Sequence, residues 1–139
     1  MMKTLEKISA RNKDAWNQPV VSVACLGDSV THGCFEVFMN RFGQIDTRYR
    51  PDRGYAAQLR RRLDALYPAA AVSVLNAGVS GGNAVHGLAR LERDVLSHKP
   101  DLVIVNFALN DSCGGLEKLE DYRRAMAAIF DGVLASGAE

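Results

Sequence analysis

Short apolar runs alternate with longer amphipathic stretches along this chain. Residues 20–26, VVSVACL, form a β-branched run between Pro19 and Gly27, the pattern of a short buried strand. Residues 72–76, VSVLN, repeat it. Residues 102–107, LVIVNF, are apolar almost throughout, as a strand covered on both faces requires. Between these runs the spacing lengthens to a helical period. Tyr55, Leu59, Leu63 and Leu66 share one stripe of a helix expected at about 54–67, which Pro68 ends. Val85, Leu88, Leu91, Glu92 and Val95 give a mostly apolar face to a helix at about 83–97. Tyr122, Met126, Ile129, Phe130 and Val133 do the same over about 117–136, where Gly137 suits the C-terminus. Residues 3–15 suit a short polar helix, so 1–18 reads as an N-terminal arm or short helix. Residues 34–53 carry no clean period. With Gly43, Pro51 and Gly54 nearby, they are expected to form an irregular insertion.

Strands alternating with helices imply βαβ units with right-handed crossovers, and so an α/β fold on a mostly parallel sheet. At 139 residues the chain is one domain, 1–139, by length. Each expected strand leaves through small and polar residues: GDSVTHG, then NAGVSGG, then ALNDSCGG. In a parallel sheet these three loops share the carboxyl edge, where open α/β sheets place their ligands.

Charge changes this picture little. A net charge of +1 offers no field to draw nucleic acid or an anionic membrane. Arg48, Arg50 and Arg53, then Arg60, Arg61 and Arg62, cluster locally, and the second group reads as the solvated face of a helix. Cys25, Cys34 and Cys113 are odd in number and lack C-x-x-C spacing, which argues against a disulfide scaffold and a zinc site. The N-terminus, MMKTLEKISARNKDAW, has no apolar core of a signal peptide, and no run approaches membrane-spanning length. A cytoplasmic setting is the resulting expectation.

The three loops carry the chemistry. A serine nucleophile needs an exposed hydroxyl, a base within reach and donors for an oxyanion. Ser29 lies just past a strand end, where the start of the next helix directs N–H groups toward it. Gly78 has no side chain to keep its N–H from a reacting carbonyl. Asn110 offers an amide donor on the third loop. Each also has a plain reading: Ser29 as a helix N-cap, Gly78 as a turn, Asn110-Asp111 as an Asx-turn or cap. Singly the plain readings are stronger; on one sheet edge together they are not. The Gly-x-Ser-x-Gly elbow is absent, since Thr31 stands where that pattern wants Gly. There is no P-loop and no G-x-G-x-x-G.

Gly27-Asp28-Ser29, Asn76-Ala77-Gly78 and Asn110-Asp111, in this order and spacing, resemble the first three sequence blocks of the SGNH hydrolases, also called GDSL esterases and lipases. The resemblance runs from about residue 20 to the end. It implies a flavodoxin-like three-layer α/β/α fold, with Ser29 as nucleophile and the Ser29 N–H, Gly78 and Asn110 as the oxyanion hole. It also implies hydrolysis of carboxylic esters, often acyl groups on carbohydrates or lipids, without metal or cofactor. Val30 and Ala108 depart mildly from the family pattern, at positions it gives to Leu and Gly. The family's D-x-x-H block, which supplies its catalytic His and Asp, has no match in the 139 residues. His32 reads as a loop-stabilising residue, His86 as a surface or packing residue, and His98 as a helix-end residue far from the three loops.

Placed in the flavodoxin-like order 2-1-3, LVIVNF would form an open apolar edge, and the last helix would have no strand to return to. The expectation is therefore an incomplete domain, probing its neighbours through edge-to-edge dimers, with a small-molecule or carbohydrate ester as substrate. The alternative is a non-catalytic flavodoxin-like module that binds a carbohydrate or an anion at the same loops.

Overall fold

Three parallel strands form the centre of the molecule: β1 (Ser22–Gly27), β4 (Ser73–Gly78) and β5 (Leu102–Asn106), in the order β4–β1–β5. The computed structural model describes residues 2–139. The order is the 2-1-3 expected of the three predicted strands, and both pairings are parallel. Register sets the level of the strand ends. Gly27 pairs with Gly78 on one side and with Asn106 on the other, so all three exit loops start from one row.

Alternation along the central strand feeds two cores. Val21 and Val23 join Ile8, Leu63, Ala70 and Val72 beneath α1 (Lys3–Lys13) and α3 (Tyr55–Leu66). Ala24 and Leu26 join a second cluster that includes Leu91, Phe107 and Ile129 under α4 (Ala84–Asp94) and α6 (Leu119–Ala135). Fully buried side chains such as Leu26 and Ile129 contribute about 1.5–3 kcal/mol each relative to exposure. Helices on both faces give the expected α/β/α layering.

The helix faces are rotated from the expected stripes. On α4, Ala84, Gly87, Arg90 and Leu91 are buried, while Val85 and Leu88 are exposed. Small residues set this face: a Cβ at Gly87 would overlap the Phe107 ring, so α4 seats more closely than a larger residue would permit. Leu66 and Phe130 likewise point to solvent, and Ala56 and Ala125 pack inward in their place.

The insertion is not irregular. Residues Cys34–Met39 (β2) and Ile45–Tyr49 (β3) pair antiparallel as a hairpin, with a bulge between Cys34 and Glu36. Phe35, Val37, Met39, Phe42 and Ile45 are each more than 60% exposed. A strand pair exposed on both faces has no buried side to impose alternation, and so leaves no period in the sequence.

The last helix does have a place to return to. After α6, Glu139 donates its N–H to the Asp101 carbonyl (2.9 Å) and accepts from the Val103 N–H (2.8 Å). These bonds set it in parallel register beside the start of β5. Its side chain does a second job. The carboxylate accepts the Lys3 and Thr4 N–H groups, each at 2.9 Å, and the Thr4 hydroxyl at 2.7 Å. Met2, at the N-cap position, supplies no side-chain bond to α1, so Glu139 caps that helix from the far end of the chain. The Thr4 hydroxyl, then the two N–H groups, hold the Glu139 carboxyl down at about 2, against 4.5 ordinarily.

A carboxyl held below its unfolded value stabilises the fold above that value, and the contribution is lost as pH falls through the folded one. The docking of α1 should therefore loosen between about pH 4.5 and 2. Amide exchange at Lys3 and Thr4 should accelerate over that window ahead of exchange in β1. Glu139→Gln should abolish this pH dependence; an unchanged acid response in Glu139→Gln would remove Glu139 as its source.

Candidate active site

The chain leaves β1 through Asp28 into α2 (Ser29–His32), a single helical turn that packs onto the strand ends. Asp28, not Ser29, is the N-cap. Its buried carboxylate accepts the Val30 N–H at 3.0 Å. Ser29 is the first helical residue. It is half-buried, and its hydroxyl makes no hydrogen bond to any described residue.

Two glycines let α2 sit this low. A Cβ at Gly27 would overlap Thr31 Oγ1 and lie 2.6 Å from the Asn106 carbonyl oxygen. A Cβ at Gly78 would overlap the His32 nitrogen and lie 2.5 Å from the Thr31 carbonyl carbon. Gly78 is therefore beside Ser29's own helix, on the adjacent strand end. Thr31, fully buried, shares a hydrogen bond of 2.9 Å with the Tyr55 hydroxyl, which ties α2 to α3. Burial pushes the Tyr55 phenol up to about 12 and raises the Cys25 thiol beneath it, so both stay neutral at physiological pH.

The loops are stitched to one another. Between the first and second, the Val79 N–H donates to the Gly27 carbonyl (3.1 Å) and the Ser80 N–H to His32 Nδ1 (3.3 Å). The His32 ring lies 4.6 Å from that of Tyr49 at the base of the hairpin. Between the second and third loops, Asn110 Nδ2 donates to the Gly82 carbonyl (2.7 Å), and Asp111 Oδ1 accepts the Ala84 N–H at the start of α4 (3.0 Å). Asn83 caps the same helix by accepting the His86 N–H. The third loop itself forms a short helix, α5 (Leu109–Ser112). Asp111 Oδ2 is buried without a partner among the described residues.

Of the three predicted site residues, Gly78 packs against the Thr31–His32 end of the turn that Ser29 opens. Asn110 starts from the same row but is drawn toward Gly82, and the Gly78 N–H is held by Asn76 Oδ1 at 3.0 Å. Asn110, Asp111 and His86 line a cavity of about 360 Å³ shared with Tyr122. An adjoining cavity of about 350 Å³, lined by Ala108, Leu116, Leu119 and Tyr122, is more apolar. His98 lies with Ser22 and Pro100 and also borders the cavity that runs along β4 past Arg90 to Gly78. Sequence reasoning passed over Thr31, Asn83 and Arg90. An Asn immediately before a helical period was a readable cap signal, whereas the partners of Thr31 and Arg90 depend on the fold.

The family described as GDSL-like lipase/acylhydrolase matches residues 25–139. The acetylxylan esterase of Geobacillus stearothermophilus is 40% identical over 70 residues, covering 50% of this chain and 29% of that enzyme. Among solved structures, a two-domain esterase active on acetylated mannans, co-crystallised with mannopentaose, superposes with a TM-score of 0.71. It is 27% identical, over 97% of this chain and 31% of its own length. AlinE4, an SGNH-hydrolase family esterase, gives 0.62 at 25% identity over 84% of this chain and 55% of its own. The chain thus spans about a third of the acetylxylan and mannan esterases it matches.

The seating of α2 makes a packing prediction. Gly27→Ala and Gly78→Ala should each destabilise the fold by about 1–3 kcal/mol or more, because the new methyl meets the α2 backbone at Gly78, and at Gly27 the buried Thr31 side chain and the Asn106 carbonyl. Gly81→Ala, which meets open space, lacks this clash and is strained only by its positive φ. Urea unfolding of the three variants checks the order; equal losses in all three would show that α2 can lift at little cost.

Proposed function

The chain belongs to the GDSL-like lipase/acylhydrolase family, and from that membership we propose that it carries the nucleophile and oxyanion side of a serine esterase. The observation that carries this reading is the Ser29 hydroxyl, unbonded, on a helical turn pressed against Gly78 at the common exit row. Ser29 Oγ attacks the ester carbonyl carbon as its proton passes to a base. The tetrahedral oxyanion collapses, the alcohol leaves with that proton, and water then attacks the acyl-serine to release the acid and restore Ser29. The Ser29 N–H, the Gly78 N–H and the Asn110 amide stabilise the oxyanion. Asn110 keeps a second amide hydrogen beyond the one on Gly82, whereas Gly78 is freed only when Asn76 Oδ1 yields to the substrate oxygen.

None of the three histidines is assigned as that base in this reading: His32 spends Nδ1 on the Ser80 N–H, His86 lies with Asn110 in the neighbouring cavity, and His98 borders the outer side of β4. The substrate class is an acyl ester of a carbohydrate, acetyl foremost. This draws support from two relatives, an acetylxylan esterase and an esterase active on acetylated mannans. The hairpin forms the alcohol side: it follows α2 directly and sets the Tyr49 ring, tilted, against that of His32.

Four measurements test this reading. Ser29→Ala should abolish p-nitrophenyl acetate hydrolysis by the protein carrying these residues, and Asn110→Ala should lower kcat by about 10²-fold or more. Residues 1–139 alone should turn over only at the residual level left by binding and oxyanion stabilisation, about 10³–10⁴ over water. Tyr49→Ala should raise KM for acetylated xylan while leaving p-nitrophenyl acetate nearly unchanged. Full turnover in Ser29→Ala would sink the esterase reading and leave the loops as a carbohydrate- or anion-binding surface.

A further inference from the structure

Arg90 is a buried cation in the middle of α4, 8% exposed, and it does not face solvent as a helix arginine ordinarily does. Its Nη1 donates to the Ala77 carbonyl at 2.7 Å and its Nη2 to the Gly27 carbonyl at 2.8 Å. Asp94 Oδ2, 3.2 Å from Nη1, balances its charge one helical turn away. These two carbonyls lie at the carboxyl ends of β1 and β4, where the two exits diverge. The Gly27 carbonyl also accepts the Val79 N–H, so Arg90 adds its donors where the ladder between the two strands closes.

The Ala77 carbonyl and the Gly78 N–H belong to one planar trans peptide, so they point in opposite directions. A guanidinium fixing the carbonyl from the α4 side therefore aims the Gly78 N–H away from α4. There it meets Asn76 Oδ1 rather than any group on α4. A charge-assisted bond to the carbonyl also polarises the peptide and strengthens its N–H as a donor. Gly27 receives the same treatment one strand over, and its peptide leads into Asp28 and Ser29. We propose that Arg90 is a positioning residue for the oxyanion donors: it orients and polarises the Ala77–Gly78 peptide and fixes the Gly27–Asp28 peptide that carries Ser29. The proposal rests on Gly78 and Ser29 having the roles given above, although the peptide geometry it describes is independent of them.

The test combines nuclear magnetic resonance on the 139-residue chain with kinetics on the esterase that contains it. Arg90→Lys keeps the charge but cannot span two carbonyls as a rigid fork. The Gly78 amide proton should move upfield and exchange at Val79 should accelerate, with Val105 and Ile129 unmoved. The kcat for p-nitrophenyl acetate should fall about tenfold or more with KM little changed, the signature of an interaction made in the transition state. A purely structural Arg90 would lower thermal stability and leave the kcat of the folded enzyme intact, which overturns the proposal. So does an unmoved Gly78 amide. Should Arg90→Lys fail to fold, the wild-type chain decides: resolved, protected Arg90 Nη–H resonances support the clamp, and a freely averaging guanidinium refutes it. Ser29→Ala separates the two claims. If it retains turnover while the Gly78 amide still responds to Arg90, the esterase reading fails and the peptide clamp stands.

Discussion

The placement of α2 on Gly27 and Gly78 is the contact from which the rest of the site follows. The turn meets Gly78 through its own backbone, which cannot rotate out of the way, and meets Gly27 through Thr31, whose side chain is fully buried and hydrogen-bonded to Tyr55. Ser29 is thereby held at one height above the exit row. The cap that starts the turn is equally committed. Asp28 is buried and accepts from Val30, so the carboxylate that terminates β1 also opens α2.

Low seating of one turn would not organise three loops by itself. The bonds between loops do that. His32 and Gly27 each receive an N–H from the second loop, and Asn110 and Asp111 divide the stitching of the third between an amide donor and a carboxylate acceptor. Loops joined by such pairs behave as one surface, in which a displacement of Asn110 is felt at Gly82 and at the start of α4. Asp111 Oδ2, without a partner among the described residues, lies in the loop that carries Asn110, beside the two cavities and not in either core.

The strands and their order were legible because each is a short apolar run closed by turn residues, and alternation with helices leaves few topologies. The exit loops were legible for the same reason. Helix faces were harder to read. Apolar periodicity favours Val85 and Leu88, yet α4 buries Ala84, Gly87 and Arg90, since close approach rewards small residues and a partnered cation escapes any hydropathy rule. The hairpin left no signal because both of its faces are exposed. The capping of α1 by Glu139 joins residues 135 apart, a pairing that no local window contains. Ser29 as N-cap was the plain reading of Gly-Asp-Ser, and the preceding aspartate took the role, leaving the serine hydroxyl free of it.

The two ends of the sheet are held by opposite charges. At the carboxyl end the β1–β4 ladder closes with the Val79 N–H on the Gly27 carbonyl, and Arg90 adds two further donors from a single side chain, one to that same carbonyl and one to Ala77. At the amino end carboxylates take N–H groups. Asp101 Oδ2 takes the Ser22 N–H at 2.9 Å while its other oxygen meets Lys7, and the Glu139 carboxylate takes the first N–H groups of α1. Anchoring the carboxyl end by a guanidinium on the carbonyl side of the Ala77–Gly78 peptide leaves the Gly78 N–H on the opposite side, and under the proposed function that is the side an ester carbonyl approaches. The cation where the ladder closes is thus the point at which the requirements of stability and of the proposed chemistry meet.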